Sequence, residues 1–266
     1  MGNPIAHSRS PFIHKMFAGQ TGQLMDYQAM LVDPTQFKQV LINLPSHGVR
    51  GANITLPFKE EAYKHATTTG QAATLAGAAN TLSFSDNGEI RADNTDGKGL
   101  VQDLTHNLNI PISASRVLLV GAGGGARGVL GPLLDQGPEQ LVIANRTEER
   151  AQQLALAFVK LGPVQFRSFD ALKGMQFDLI INATSAGLSG LRAPLPDGIV
   201  SPSGACYDMI YGPGAEPFLN WAAQQGVNNR ADGTGMLVEQ AAESFTIWRG
   251  TRPDTRPVIN ALKRQT

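Results

Sequence analysis

A glycine-rich turn at residues 121–126 is the clearest chemical signal in the sequence. It joins an apolar run, residues 117–120, to a segment with helical apolar spacing. In a dinucleotide fingerprint, the first glycine permits the tight turn and the second lets the backbone approach a pyrophosphate. Gly121 and Gly123 occupy these positions, and Ala126 fills the third, where a small residue packs the helix against the strand. The free N–H groups of the helix stabilise phosphates, so the turn predicts a dinucleotide site.

The end of the next strand pattern, residues 141–144, indicates which dinucleotide is bound. A carboxylate at this place binds the ribose 2′-hydroxyl of NAD. This chain instead has polar and basic residues there: Asn145, Arg146, Thr147 and Arg150. A guanidinium forms charge-assisted hydrogen bonds with a 2′-phosphate, which a carboxylate would repel. We therefore predict NADP as the cofactor; the alternatives are solvated surface arginines and a glycine-rich turn that binds no nucleotide.

Two polar loops carry groups that are able to move a proton. Lys59 follows Pro57, which stiffens the loop and helps to fix where the lysine points. Asp96 precedes Gly97 at the predicted boundary between two domains. If the loops face each other, the two side chains form an ion pair that passes a proton to a carbonyl oxygen as a hydride reaches its carbon. A solvated lysine and a turn or helix-capping aspartate are the alternatives.

Two serines near the N-terminus indicate an anion site. Ser10 precedes Pro11 and a helical apolar pattern, so we expect Ser10 to cap a helix with proline at its first position. Ser8 adds a second hydroxyl two residues earlier, and such a pair at a helix N-terminus suits a carboxylate. His7 lies beside them, but a lone histidine in a polar loop is expected to be structural. The sequence shows no Ser-His-Asp order and no metal-ligand cluster.

Strand and helix patterns alternate along the chain, which is typical of α/β folds with parallel sheets. We predict an N-terminal substrate domain with a mainly parallel sheet and a doubly wound Rossmann-type NADP domain, with a cleft between them for a second substrate. The substrate domain comprises residues 1–96 and the C-terminal helices in 237–266; the NADP domain comprises residues 97–236. Strands are predicted at 49–54, 76–82, 88–92, 117–120, 141–144, 164–166, 177–182 and 205–209, and helices at 37–44, at 234–249 and after Pro257.

The composition excludes several classes of protein. The 22 basic and 22 acidic residues balance, so no broad field attracts the chain to nucleic acid or to a membrane surface. No apolar stretch approaches the ~18–20 residues of a membrane span. The single cysteine, Cys206, fits a reducing compartment, and its apolar neighbours predict a buried structural thiol. We expect a cytoplasmic protein.

Nine segments in order make the chain resemble the shikimate dehydrogenase family over nearly its full length. They are GNPIAHSRSP, GANITLPFK, AGAANT, DNTDGKG, VGAGGGARG, ANRTEER, INATSAG, YDMIYGPG and ADGTGMLVEQA. The resemblance implies an oxidoreductase of chorismate and aromatic amino acid biosynthesis, which reversibly reduces the 3-oxo group of 3-dehydroshikimate with NADPH to give shikimate. It also implies a small-molecule substrate, without nucleic acid, membrane or metal, and a monomer or homodimer.

The resemblance also implies roles for single residues. Lys59 would be the general acid toward dehydroshikimate and the base in reverse, and Asp96 would orient the substrate and hold Lys59 charged. The other substrate residues would be Ser8, Ser10 and Tyr211 near the carboxylate, and Thr55, Asn80 and Gln240 at ring hydroxyls. The cofactor residues would be Gly121, Ala122, Gly123, Gly124, Gly125, Ala126 and Arg127 at the pyrophosphate, Asn145, Arg146, Thr147 and Arg150 at the 2′-phosphate, and Met209 and Gly233 beside the nicotinamide. The alternative for each substrate residue is an ordinary role in a cap, turn, strand end or helix.

Two departures from the family pattern have structural consequences. The turn has Gly125 where the family usually has alanine, so we expect a slightly looser turn with cofactor binding retained. The family also has a central strand before the GNP segment, whereas here Met1 directly precedes Gly2. Loss of a central strand exposes apolar surface and unpaired edges. We expect either a start assigned too far downstream or a truncated variant, and lower stability than the same chain with that strand restored.

Two other functions stay open at this point. One is a quinate/shikimate dehydrogenase of broader specificity that accepts NAD, against which the pair Arg146 and Arg150 argues. The other is a non-catalytic sensor of shikimate or quinate. Intact Lys59 and Asp96 argue against a sensor, as does the absence of a DNA-binding module or basic patch in the sequence.

Overall fold

In the computed structural model, which describes residues 1–265, the chain forms two β-sheets with α-helices packed against them. The strands are β1 (Gly51–Asn53), β2 (Thr68–Thr69), β3 (Thr81–Phe84), β4 (Ile90–Asp93), β5 (Arg116–Val120), β6 (Gln140–Ala144), β7 (Val164–Arg167), β8 (Phe177–Asn182), β9 (Val200–Asp208) and β10 (Asn229–Ala231). The helices are α1 (Ser10–Thr21), α2 (Phe37–Asn43), α3 (Lys59–His65), α4 (Gln71–Ala76), α5 (Asp96–Gln102), α6 (Gly124–Leu134), α7 (Glu148–Phe158), α8 (Glu216–Gln224), α9 (Thr234–Arg249) and α10 (Arg256–Lys263). A π-helical turn, Asp103–Asn107, continues α5.

The larger sheet has six strands in the order β10-β9-β8-β5-β6-β7, paired in parallel. Counted from β5, this is the doubly wound order 3-2-1-4-5-6, whose switch point lies between β5 and β8. Its central strands are apolar runs because buried side chains pack on both faces. The doubly wound prediction is confirmed, although β9 begins at Val200 rather than 205. The sequence does not predict β10, since three partly polar residues at an edge give no apolar pattern.

The smaller sheet has four strands in the order β1-β3-β4-β2 and is mixed. β1 pairs with β3, and β3 with β4, in antiparallel fashion, whereas β2 and β4 are parallel. The prediction of a mainly parallel sheet is wrong for this half, because the turn at residues 85–89 joins β3 directly to β4. A connection this short allows only antiparallel neighbours. The strand predicted at 76–82 also divides, since α4 runs to Ala76 and β3 begins at Thr81.

The N-terminal residues pair with the chain on both sides. Gly2 forms a parallel bridge with Leu31. On the other side, the Met1 amino group donates to the Asn53 carbonyl at 2.7 Å, and the Thr55 N–H donates to the Met1 carbonyl at 3.0 Å. These bonds place the segment beside β1. The effect of an upstream strand on stability stays a prediction.

Helix α9 connects the C-terminal part of the chain to the N-terminal part. Its apolar face packs against α1 and α10 in one buried cluster that includes Phe17, Phe245 and Val258. The helix confirms the prediction at 234–249 with the same bounds, and α10 confirms the predicted last helix. Through this packing, α9 carries polar side chains from the C-terminal part of the chain to the edge of the smaller sheet.

Helix α5 lies very close to both α6 and α9. A Cβ at Gly97 would lie 2.5 Å from Pro132 Cγ on α6, and a Cβ at Gly99 would lie 2.7 Å from the Cβ of Gln240 on α9. Real Cβ atoms do not approach other atoms so closely, so only glycine permits these contacts. The first turn of α5 is thereby held between α6 and α9.

The Gly99 contact predicts that Gly99→Ala will destabilise the protein by about 1–3 kcal/mol, because the added methyl group must separate α5 from α9. Gly19→Ala is the matched control, since Gly19 lies on α1 with open space around it. Alanine there should be neutral or stabilising by up to about 1 kcal/mol. Urea unfolding midpoints measure both effects. Equal midpoints for the two variants would show that α5 and α9 have room to separate.

Candidate active site

One cavity of about 380 Å³ lies where the two sheets meet. Side chains from both halves of the chain line it. They include all eight predicted catalytic and substrate residues, namely Ser8, Ser10, Thr55, Lys59, Asn80, Asp96, Tyr211 and Gln240. Three predicted cofactor residues also line it, namely Gly125, Met209 and Gly233. The structure therefore brings together residues that are up to 232 positions apart, Ser8 and Gln240, in one polar space.

An ion pair between Lys59 and Asp96 lines the cavity. Lys59 is the first residue of α3 and Asp96 the first residue of α5. Lys59 Nζ donates to Asp96 Oδ2 at 2.5 Å, and the two side chains are 25% and 10% exposed. The other carboxylate oxygen, Oδ1, accepts a hydrogen bond from the Asn80 amide at 2.8 Å. The carboxylate is thus fixed on both sides, while the ammonium group keeps donors for a ligand.

A buried polar network extends from Asn80 behind the ion pair. The Asn80 amide oxygen accepts the Thr95 N–H at 2.9 Å, and its nitrogen contacts Gln240 Oε1 at 3.2 Å. Ser244, one turn further along α9, shares a 2.7 Å hydrogen bond with Thr81. Because buried polar groups that are fully paired resist displacement, this network fixes the strand ends and α9 relative to each other.

Ser8 and Ser10 line the cavity, but the capping prediction is wrong. Helix α1 begins at Ser10 itself, with Arg9 as the N-cap residue and no side-chain cap. The Ser10 N–H donates to the Ser8 hydroxyl oxygen at 3.3 Å, so the earlier serine accepts from the helix N-terminus. Both hydroxyls, the helix N-terminus and Arg9 face the same space. This is a favourable environment for an anion.

Tyr211 and His7 lie on the same side of the cavity as these serines. Burial raises the pKa of the Tyr211 phenol, and the positive charge of Arg9 lowers it in part. The hydroxyl therefore stays protonated near neutral pH and is able to donate a hydrogen bond. His7 lines the cavity beside Ser8, which the sequence does not predict because its loop has no periodic pattern.

Two further residues, Tyr27 and Asn53, line the cavity near the serines, and the buried His14 packs against them; none of the three is predicted from the sequence. The Tyr27 hydroxyl donates to Asn53 Oδ1 at 2.9 Å and also hydrogen-bonds with Ser10. His14 stacks on Tyr27 at 4.2 Å between ring centroids, and its Nε2 lies 3.2 Å from the same Asn53 oxygen. Only Asn53, a polar residue at the end of a short strand, gives any sequence signal.

The glycine-rich turn follows β5 at the carboxyl edge of the larger sheet. Gly121 has φ +113°, which L side chains rarely adopt, and α6 begins three residues later with Gly123 as its N-cap residue. Gly125 has no such requirement, because a Cβ there would make an ordinary 3.7 Å contact with Met209. The free N–H groups at the start of α6 fit a pyrophosphate.

The basic residues predicted for the 2′-phosphate lie outside the central cavity, at the end of β6 and the start of α7. Asn145 takes the place of an acidic residue and donates to the Thr147 carbonyl at 2.9 Å. Arg146 and Arg150 are exposed beside it, where guanidinium groups fit a phosphate. Arg127 Nε donates to the Leu75 carbonyl on α4 at 3.2 Å, so its side chain connects the two halves of the molecule. The residues at this edge fit NADP.

A doubly wound sheet with this turn, beside a cavity that holds a lysine–aspartate pair, defines the class of dinucleotide-dependent oxidoreductases. Three family profiles match the chain: "Shikimate dehydrogenase substrate binding domain" at residues 1–82, "Shikimate / quinate 5-dehydrogenase" at 103–193 and "Shikimate 5'-dehydrogenase C-terminal domain" at 233–263. A curated relative from Cellvibrio japonicus, named shikimate dehydrogenase (NADP(+)), is 52% identical over 264 residues, which are 99% of this chain and 95% of the relative. The chain belongs to the shikimate dehydrogenase family.

Solved structures agree with this assignment. The Ael1 enzyme from Pseudomonas putida is 45% identical with a TM-score of 0.92, and the alignment covers 98% of this chain and 96% of that one. Shikimate 5-dehydrogenase from Thermus thermophilus, in complex with NADP(H) and shikimate, is 31% identical with a TM-score of 0.87, and covers 100% and 97% of the two chains. The likeness therefore includes both sheets.

Cys206 is buried, as predicted, and burial raises the pKa of its thiol to about 12, so it is not a thiolate at neutral pH. Within residues 1–265, none of the helices has the length and apolar character needed to cross a membrane.

The buried imidazole of His14 predicts a loss of stability in acid. Burial lowers the pKa of His14 from 6.5 to about 3, although the hydrogen bond with Asn53 opposes this shift. Below pH 6.5 the unfolded chain therefore binds a proton that the folded chain does not. The free energy of unfolding consequently decreases as the pH falls from about 6.5 to about 3. Linkage gives a loss of about 2 kcal/mol between pH 7 and pH 5.

His14→Phe keeps a ring against Tyr27 but cannot titrate, so its stability should depend less on pH by that amount. His106→Phe is the matched control, because it makes the same substitution at an exposed side chain. Urea unfolding at several pH values measures the difference. The same slope in wild type and His14→Phe would contradict a neutral buried imidazole.

Proposed function

We propose that this chain catalyses the reversible, NADPH-dependent reduction of 3-dehydroshikimate to shikimate, with Lys59 and Asp96 as its catalytic pair. The observation that carries the proposal is the 2.5 Å ion pair in a cavity that Met209 and the turn residue Gly125 also line. A proton donor thus lies beside the place where the nicotinamide of a bound dinucleotide is expected. The Cellvibrio japonicus relative is named shikimate dehydrogenase (NADP(+)), and the Thermus thermophilus structure is a shikimate 5-dehydrogenase in complex with NADP(H) and shikimate.

Lys59 supplies the proton in this proposal. In the direction of reduction, its ammonium group donates a proton to the 3-oxo oxygen, while the carbon of that carbonyl group accepts a hydride. NADPH supplies the hydride when bound. In the reverse direction, neutral Lys59 accepts the proton of the 3-hydroxyl group. Asp96 stabilises the charged lysine and orients the substrate, and Asn80 keeps that carboxylate in place.

The polar groups around the pair suit the other substituents of the ring. Ser8, Ser10 and Tyr211 lie together near the N-terminus of α1 and would bind the carboxylate, with Arg9 adding a positive charge. Thr55, Asn80, Asp96 and Gln240 would bind ring hydroxyls. These donors and acceptors surround a cavity of about 380 Å³, which is in the range of small-molecule sites.

The cofactor would extend from this cavity along the carboxyl edge of the larger sheet. The pyrophosphate would bind at Gly121, Ala122, Gly123, Gly124, Gly125, Ala126 and Arg127, the 2′-phosphate at Asn145, Arg146, Thr147 and Arg150, and the nicotinamide at Met209 and Gly233. The positive φ of Gly121 and the absence of a carboxylate at Asn145 support this placement.

Several broader expectations belong to the same proposal. Residues 1–96 with the C-terminal helices in 237–266 would form the substrate domain, and residues 97–236 the NADP domain. The packing of α9 and α10 against α1 supports this division. A cytoplasmic location and a monomeric or homodimeric state are also part of it. The sensor alternative is not retained, because relatives near 50% identity over the whole chain are NADP-dependent enzymes.

The direct test of this function is an absorbance assay of nicotinamide reduction with shikimate and either NADP or NAD. Rapid reduction of NADP, with little NAD turnover, is expected, since Arg146 and Arg150 suit the 2′-phosphate. Quinate in place of shikimate tests the alternative of broader specificity. No turnover with shikimate would contradict the proposed function, and equal use of NAD would contradict the assignment of the arginine pair.

Within the same assay, Lys59→Ala should lower kcat by about 10²- to 10⁴-fold, the usual contribution of a positioned general acid or base. KM for shikimate should change much less, because the serines and Gln240 still bind the ring. Lys64→Ala is the matched control, since Lys64 is exposed on the same helix. Comparable activity in Lys59→Ala and Lys64→Ala would rule out Lys59 as the proton donor.

A further inference from the structure

We propose a positioning role for four residues: Tyr207, Asp103, Asn107 and Glu239. They set helix α5, which begins with Asp96, at a fixed distance from the end of strand β9, which leads to Met209 and the expected nicotinamide site. This proposal rests on the function proposed above. None of the four lines the central cavity, so they act through other residues. Their role follows from the elements that their hydrogen bonds connect, namely β9, the π-helical turn after α5, and α9.

The first link joins the larger sheet to the end of α5. Tyr207 is fully buried on β9, two residues before Met209. Its hydroxyl donates to Asp103 Oδ2 at 2.7 Å. Asp103 is the first residue of the π-helical turn that continues α5, whose first residue is Asp96. One short hydrogen bond therefore connects the strand that leads to Met209 with the helix that presents Asp96.

The second link joins the same turn to α9. The Asn107 amide nitrogen donates to Asp103 Oδ1 at 3.0 Å and to Glu239 Oε1 at 2.9 Å, so it bridges two buried carboxylates. Glu239 directly precedes Gln240 on α9 and is only 1% exposed. It also accepts from Arg252 and Thr255 at 2.7 Å each. The helix that carries Gln240 is thus connected to the same turn.

On the side of α9, the Asp103 carboxylate is closely packed. A Cβ at Gly235 would lie 1.9 Å from Asp103 Oδ1, so the start of α9 lies directly against that carboxylate. Apolar side chains tolerate small shifts, but charge-assisted hydrogen bonds are directional, and a buried carboxylate that loses a partner is costly. π-helical turns also occur preferentially at functional sites. The two carboxylates, held by directional hydrogen bonds, therefore fix the geometry between the turn, β9 and α9.

Geometry at this point matters for the reaction. Proton transfer depends on the position of the Lys59–Asp96 pair, whereas hydride transfer depends on the nicotinamide beside Met209. Lys59 and Asp96 begin helices α3 and α5, whereas Met209 follows β9 of the larger sheet. The Tyr207–Asp103 bond directly connects β9 with the turn that continues α5. A shift of one relative to the other separates the proton donor from the carbon that receives the hydride, without changing the groups that bind the substrate carboxylate.

The test measures the rate constant of single-turnover hydride transfer in Tyr207→Phe. Nicotinamide absorbance reports the reaction, with shikimate and NADP at saturating concentrations. We expect the rate constant to decrease about tenfold, given that a shift of roughly 1 Å can cost on the order of 10²-fold. KM for shikimate should stay within about twofold of wild type, as the residues that contact the substrate are unchanged. A purely structural role would lower only the amplitude, that is, the fraction of active protein, and would overturn the proposal.

Two further variants complete the test. Asn107→Ala breaks the bridge at a partly exposed residue, so it keeps the proposal testable if Tyr207→Phe does not fold; the same decrease in rate constant is expected. Tyr63→Phe is the matched control, because it removes a phenol hydroxyl group from α3, outside the cluster. The rate constant should stay unchanged in this variant. Inactive wild type would overturn the proposed function, whereas active wild type with unchanged rate constants in both cluster variants would overturn the positioning role alone.

Discussion

The proposed chemistry depends on holding one ammonium group and one carboxylate together in a partly buried cavity. Charges that leave water are costly unless they are paired and hydrogen-bonded. Lys59 and Asp96 meet this requirement at 2.5 Å, and the Asn80 amide satisfies the second carboxylate oxygen. Both residues begin helices that leave the smaller sheet, so the backbone determines where they point. The ammonium group keeps further donors for a substrate.

Most of the surrounding structure constrains the position of that pair. Gly99 allows α5 to contact α9, and the polar network from Asn80 to Ser244 ties both to the strand ends. On the other side, the Tyr207–Asp103 hydrogen bond joins α5 to the sheet whose edge suits NADP. The cavity therefore lies where the two sheets meet, and two helices held by close contacts and buried hydrogen bonds connect those sheets. An enzyme that moves a proton and a hydride together needs this precision.

The sequence predicts what local patterns determine and fails where distant partners decide. The apolar runs of the larger sheet, the turn at Gly121 and the helix at 234–249 follow from neighbouring residues, and the structure confirms them. The smaller sheet is mixed rather than mainly parallel, and α1 begins at Ser10 rather than after it. Both predictions are wrong because pairing direction and capping depend on how each loop closes. Gln240 came only from the family resemblance, since no local pattern separates it from an ordinary helix residue. Buried polar residues such as Asp103 and Glu239 carry no local sign of burial at all.

The most direct test of the central claim is a double-mutant cycle on the ion pair, with kcat/KM for shikimate measured in Lys59→Met, Asp96→Asn and the double variant. If the two side chains act as one unit, removing the second should add little to the loss caused by the first, as is found for residues that share one catalytic function. The double variant is therefore predicted to be about as impaired as the worse single variant. Losses that multiply would show that Lys59 and Asp96 act independently, and would contradict the account.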